Sequence, residues 1–179
     1  MLWFNAITHE NVLSYRFMNI KKIVSGGQTG VDSAALDVAI EFGIPAGGWV
    51  PKGMLNEYNK IINSDYNIQE TPSSDVKQRT EWNVRDADAT LIIYRNLLMG
   101  GTEYTRQKAI INTKPYLLIN LSSLSFFEAV DTISNWFCKV DGTILNIAGP
   151  RDSEDMNMYM DTRKILSSVF KKVNGTWKR

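Results

Sequence analysis

Short apolar runs alternate with helix-period segments along almost the whole chain, and three of the runs end in glycine-bearing turns. Lys21–Val24, Pro45–Val50, Ala89–Tyr94, Tyr116–Leu121 and Ile144–Ala148 are each four to six residues long and rich in aliphatic side chains, as buried strands are. Apolar residues at 31, 34/35, 38/39 and 42 mark one face of a helix over Val31–Phe42, which Gly43 is placed to close. Further helices are predicted from Ser73/Ser74-Asp75 to about Ala87, over Thr102–Ile111, over Leu124–Cys138 behind Ser122 and Ser123, and over Asp155–Phe170. Strands joined through helices run parallel with right-handed crossovers, so the sheet is covered on both faces. The expected fold is a single-domain, doubly wound α/β sheet of about five or more parallel strands. Residues 51–72 break the pattern with Asn56, Asn59, Asn63, Asp65 and Asn67 and read as a long loop.

At 179 residues the chain is one domain, and no repeat or linker divides it. The domain is expected over 18–172, with residues 1–17 an N-terminal arm or extension and 173–179 a basic tail. Whether Met18 is the true start stays open. Twenty Lys and Arg against nineteen Asp and Glu leave a net charge of +1, so no global field draws the protein to nucleic acid or an anionic membrane. Any anion must be caught by a local site. Cys138 and His9 are the only cysteine and histidine, which removes intrachain disulfides, His-based triads and multi-cysteine metal sites. Cys138 follows an apolar helix stripe and reads as an inert thiol at the edge of the core. The first 17 residues lack the features of a signal peptide, and no apolar run approaches membrane-helix length, which points to the cytoplasm.

Ligands of doubly wound folds sit beyond the carboxyl ends of the strands. Three such segments carry glycine: Gly26-Gly27-Gln28-Thr29-Gly30, Gly100-Gly101-Thr102 and Gly149-Pro150-Arg151. A glycine turn opening a helix lets backbone N–H groups approach a phosphate at the positive end of the helix dipole, with Thr29 and Thr102 adding hydroxyls. Asp32 either complements that dipole or accepts a hydrogen bond from a ribose hydroxyl or heterocycle edge. Lys52, Arg79, Arg106 and Arg151 are candidate cations for the same site. Glu81 and Glu103 are the candidate acids, each of which would need burial or a partner to act near neutral pH. Trp49 and Trp82 serve either as walls for a flat ring or as core.

Five stretches resemble the molybdenum carrier protein family, relatives of the lysine-decarboxylase-like phosphoribohydrolases that activate cytokinins. They are Ile23–Asp32, Gly48–Gly53, Arg79–Thr90, Gly100–Thr102 and Leu145–Arg151. The resemblance implies a Rossmann-like fold, a homodimer or homotetramer, and binding of the molybdenum cofactor, a phosphate-bearing pterin, or of a nucleotide. It supports Gly26, Gly27, Gln28, Thr29, Asp32, Lys52, Gly101, Thr102 and Arg151 as pocket residues. Two departures stand out. Met54–Asn59 replaces the family's arginine and acidic turn, and Asp152–Asp155 replaces a Ser-Lys turn, making that rim acidic. The relatives' catalytic glutamate falls at Thr105. The expected function is a carrier holding a phosphate-bearing cofactor or nucleotide. The alternative is a nucleotide N-glycosidase using Glu103 or Glu81.

Overall fold

The computed structural model describes residues 20–174. The expectations for an arm over 1–17, for a start at Met18 and for the tail beyond Asn174 lie outside the described residues. Six parallel strands make one sheet in the order β3-β2-β1-β6-β4-β5. They are β1 Lys22–Val24, β2 Ala46–Val50, β3 Ile68–Glu70, β4 Ala89–Tyr94, β5 Tyr116–Asn120 and β6 Ile144–Ala148. The helices are α1 Val31–Glu41, α2 Val76–Asp86, α3 Gly100–Ile111, α4 Phe126–Phe137 and α5 Met158–Val173. In one helical layer α5 packs against α1 and α4, and in the other α2 packs against α3. This is the doubly wound, Rossmann-like α/β domain that the alternating pattern predicts.

The chain steps outward from β1 to β3, crosses to β4 and β5, and returns to insert β6 between β1 and β4. Register is set across this centre by Ile23 beside Leu145 and Leu91 beside Ile147, all fully or nearly fully buried. The Asp88 carboxylate fixes the entry to β6 by accepting N–H bonds from Thr143 (2.7 Å) and Ile144 (2.8 Å). The carboxyl ends of β1, β6 and β4 therefore meet where the strand order reverses, the place such sheets offer to ligands.

Four details differ from the sequence reading. Ile68–Glu70 is a sixth strand within the expected loop, after a 3-10 turn at Ser64–Tyr66. It is a three-residue edge strand whose Gln69 and Glu70 face solvent, so it has no apolar period to detect. Helix α4 is capped by Ser125, not Ser122 or Ser123, through a reciprocal capping box with Glu128. Helix α5 begins at Met158 because the Arg151 carbonyl collects the N–H groups of Glu154 and Asp155, holding 151–155 in turns. Cys138, expected at the edge of the core, is instead exposed at the C-cap of α4. No helix among the described residues is long and apolar enough to cross a membrane.

Candidate functional site

Helix α2 is anchored to the sheet by Asn83, whose side chain bonds the Trp49 backbone twice, accepting its N–H (2.8 Å) and donating to its carbonyl (2.9 Å). Arg79 lies one turn earlier on the same helical face. Its guanidinium is thereby delivered over the bare Cα of Gly26: a Cβ there would stand 1.8 Å from Arg79 Nη1. Asp32, on the first turn of α1, faces Arg79 with 3.5 Å between Nη1 and Oδ2. Both side chains are largely buried, at 12% and 4% exposure. Burial raises the Asp32 pKa above 3.8 against the opposing pull of Arg79, and burial lowers that of Arg79 against the pull of Asp32. Arg79 Nε is buried with no hydrogen-bond partner. A guanidinium presents five donors, and leaving them unmet away from water is costly.

Arg79 opens into a narrow recess of about 50 Å³ that also receives Gln28, Thr102, Thr105 and Arg151. The Arg151 guanidinium makes no hydrogen bond or ion pair among the described residues, and its charge is felt at both Arg79 and Asp32. Gly101 and Thr102 open α3 at the recess wall, and no N-cap side chain bonds that helix, which leaves the positive end of its dipole beside the recess. Thr102 and Glu154 also belong to a larger chamber of about 440 Å³, with Arg95, Leu97 and Met99 on its walls. Recess and chamber thus adjoin, with two lining residues in common, at the reversal of strand order, and are together called the cleft. The chamber is of the size that takes small organic ligands.

The first glycine turn is employed differently. Gln28 N–H donates to Asp32 (3.3 Å), Val31 N–H to the Pro150 carbonyl (3.2 Å), and Gly30 N–H faces the Asp152 carboxylate. Gly27 packs on Val50 and Ile62, and Gly30 on Pro150 and Arg151. Thr29 donates its hydroxyl to Glu57, which also accepts from the Ser153 hydroxyl and N–H. Gln28 Nε2 reaches the Leu55 carbonyl at 3.3 Å. The 54–62 segment therefore lies across the turn like a strap. Burial pushes Glu57 up, but the bonds from Ser153 and Thr29 outweigh it and hold the carboxyl below 4.5.

Since that pKa is depressed on folding, the stabilisation is present above the unfolded value and fades as pH falls through the folded one. Replacing Glu57 with Gln is expected to cost roughly 1 kcal/mol in urea unfolding at pH 7 and to hasten proteolysis within 54–62. The cost should shrink below pH 4. An unchanged urea midpoint at pH 7 would show that the strap is held without this carboxylate.

Of the residues singled out from sequence, the cleft lining brings together Gln28, Asp32, Arg79, Gly101, Thr102 and Arg151. Gly26 lies directly under Arg79, and Gly100 heads α3 beside Glu154. Lys52 is exposed beyond β2, with its N–H on the Ser73 carbonyl, and does not line the cleft. Arg106 is bound to Glu103 at 2.6 Å on α3, and Glu81 to Lys108 at 2.7 Å and to the Tyr104 hydroxyl. Arg106 keeps Glu103 below 4.5, and Lys108 with Tyr104 does the same for Glu81. Neither acid lines the cleft. Trp49 and Trp82 form an edge-to-face pair, centroids 4.7 Å apart, with Arg85 over Trp82. Trp49 borders a separate depression with Lys22 and Ile144. Sequence reasoning missed Arg95, Leu97 and Met99, although they follow β4 at the strand end most suspect for ligands. It also missed Glu57, which no periodicity marks.

A family model described as the circularly permutated YpsA SLOG family matches residues 23–170. Among solved structures, the crystal structure of the "Putative molybdenum carrier protein" from Syntrophus aciditrophicus SB superposes with a TM-score of 0.81 at 47% identity, covering 85% of this chain and 95% of that one. No curated protein matches the chain.

Proposed function

The chain belongs to the circularly permutated YpsA SLOG family, and from that membership and the cleft we propose that it is a carrier-like binding protein for a phosphate-bearing cofactor or nucleotide. The observation that carries this reading is Arg79: a buried guanidinium with an unmet Nε, next to Arg151 and the uncapped start of α3. An oxyanion in the recess would satisfy these donors together, through charge-assisted bonds that a planar fork favours. Thr102 adds a hydroxyl. The ligand's ring system would occupy the chamber, against Leu97 and Met99.

The molybdenum cofactor fits these groups at its phosphate and at its flat pterin, and the solved relative's name favours it over an arbitrary nucleotide. Arg79 and Arg151 would hold its phosphate, and the cofactor itself would supply the metal chemistry in any enzyme that received it. The glycosidase reading gains nothing from Glu81 and Glu103, which are ionised and matched to cations outside the cleft. A binding role needs no acid there.

A thermal-shift panel of inorganic phosphate, nucleoside monophosphates and pterin phosphates tests the proposal. A ligand at a hundredfold excess over its Kd is expected to stabilise the fold by about 2.7 kcal/mol. That is about 5–11 °C in Tm for a domain of this size. Native mass spectrometry of the purified protein should show the same ligand bound. No shift from any member of the panel overturns the reading.

A further inference from the structure

Glu154, like Thr102, lines both the recess and the chamber, and so marks the doorway between them. Its position is fixed from two sides. Oε2 accepts the Arg151 N–H at 3.0 Å, while Oε1 lies 3.8 Å from where a Cβ on Gly100 would be, at the start of α3. Inside this doorway the recess holds two arginines against one acid, Asp32, which faces Arg79. Outside it the balance reverses: the chamber is lined by one cation, Arg95, against Glu154 and Asp155. Arg95 is moreover already ion-paired with two carboxylates, Asp155 at 3.3 Å and Asp161 at 2.5 Å, although its buried Nε, like that of Arg79, has no hydrogen-bond partner.

A single oxyanion in the recess would meet Arg79, Arg151 and the dipole of α3. The recess is narrow, and a second phosphate on the same ligand would extend past Glu154 toward a chamber whose one cation among the described residues, Arg95, already faces two carboxylates. Like charges juxtaposed in a partly desolvated site repel strongly, and screening there is weaker than in open solvent. We propose that Glu154 is a specificity-determining residue that restricts the cleft to ligands bearing one terminal anionic group and turns away a diphosphate or longer chain. This rests on the reading that the recess binds an oxyanion. The rest of the accepted ligand is then uncharged at the doorway and offers hydrogen-bond donors, such as ring amino groups or sugar hydroxyls, to Glu154 and Asp155.

The test uses orthophosphate, pyrophosphate and tripolyphosphate as bare probes, titrated by calorimetry in magnesium-free buffer at constant ionic strength. An unguarded cationic pocket binds the more highly charged anion more tightly, so the order itself is diagnostic. The wild-type protein is expected to bind orthophosphate about tenfold more tightly than pyrophosphate, and tripolyphosphate more weakly still. Glu154→Gln, whose amide oxygen can still accept the Arg151 N–H, should narrow the gap at least fivefold, pyrophosphate gaining more affinity than orthophosphate. Pyrophosphate binding as tightly as orthophosphate in the wild type, or an unchanged ratio in Glu154→Gln, overturns the gate while leaving oxyanion binding in place. Binding of none of the three removes the oxyanion site itself, and the gate with it.

Discussion

Replacing Arg79 with leucine should abolish oxyanion binding and destabilise the fold by about 3–5 kcal/mol at neutral pH. The two effects have separate causes. Binding is lost because the recess keeps only Arg151 as a cation, and because the fork over Gly26 that matches an oxyanion's edge is gone. Stability is lost because Asp32, 4% exposed as a side chain, is left buried without its counter-charge. The pH dependence tells these apart. Burial already raises the Asp32 pKa, and removing Arg79, the largest opposing influence, raises it further. A carboxyl with a raised folded pKa contributes stability that is fully present below its unfolded value and lost as pH rises through the folded one. The penalty of Arg79→Leu should therefore be greatest at pH 7–8 and shrink steadily on acidification toward pH 4, in urea unfolding followed by circular dichroism. Arg79→Lys keeps the charge but not the planar fork, so it should recover most of the stability and little of the binding. A leucine variant that still binds orthophosphate with wild-type affinity would show that the buried guanidinium is purely structural.

The central architecture was readable because parallel strands buried on both faces announce themselves. In β4, five of six residues are buried, and its flanking helices keep their period. The edge was not readable. Ile68–Glu70 pairs with β2 through its backbone and puts one apolar side chain, Ile68, against the core, too little for an apolar pattern to show. The site was legible to the same degree. Glycine turns at strand ends pointed to residues that line one recess, because topology alone forces β1, β6 and β4 to end together. Which donors of those turns stay free depends on long-range partners: Pro150 and Asp152 take the Val31 and Gly30 N–H groups and Glu57 takes the Thr29 hydroxyl, all from distant parts of the chain, while α3 has no side-chain cap. Arg79 looked like one helix cation among several, and its importance arises from Asn83 docking α2 and from Gly26 lacking a side chain. Neither relation has a local signature.

The glycines themselves divide into those that serve the fold and those that make room for the site, and two alanine substitutions should separate them. A Cβ on Gly149 would lie 2.2 Å from the Ile93 carbonyl oxygen and 2.5 Å from a Val31 methyl. The first of these is backbone of the central strand β4, which cannot yield without disturbing its pairing with β6. Gly149→Ala is therefore expected to cost about 3 kcal/mol or more, in the upper range for overpacking, and to lower Tm by about 6–12 °C. A Cβ on Gly26 meets instead the flexible end of Arg79, at 1.8 Å from Nη1, and Asp32 Oδ2 at 2.7 Å. Arg79 can swing away from that contact, so Gly26→Ala should lower Tm less than Gly149→Ala does while weakening orthophosphate binding at least tenfold, as expected when a charge-assisted fork is displaced. Both variants are to be melted with and without orthophosphate. Because the added Cβ on Gly26 meets Arg79 first, its effect on binding should act through Arg79: adding Gly26→Ala to Arg79→Leu should change orthophosphate binding no further, as non-additivity in a shared contact requires. Additive losses would place an independent phosphate contact in the first glycine turn.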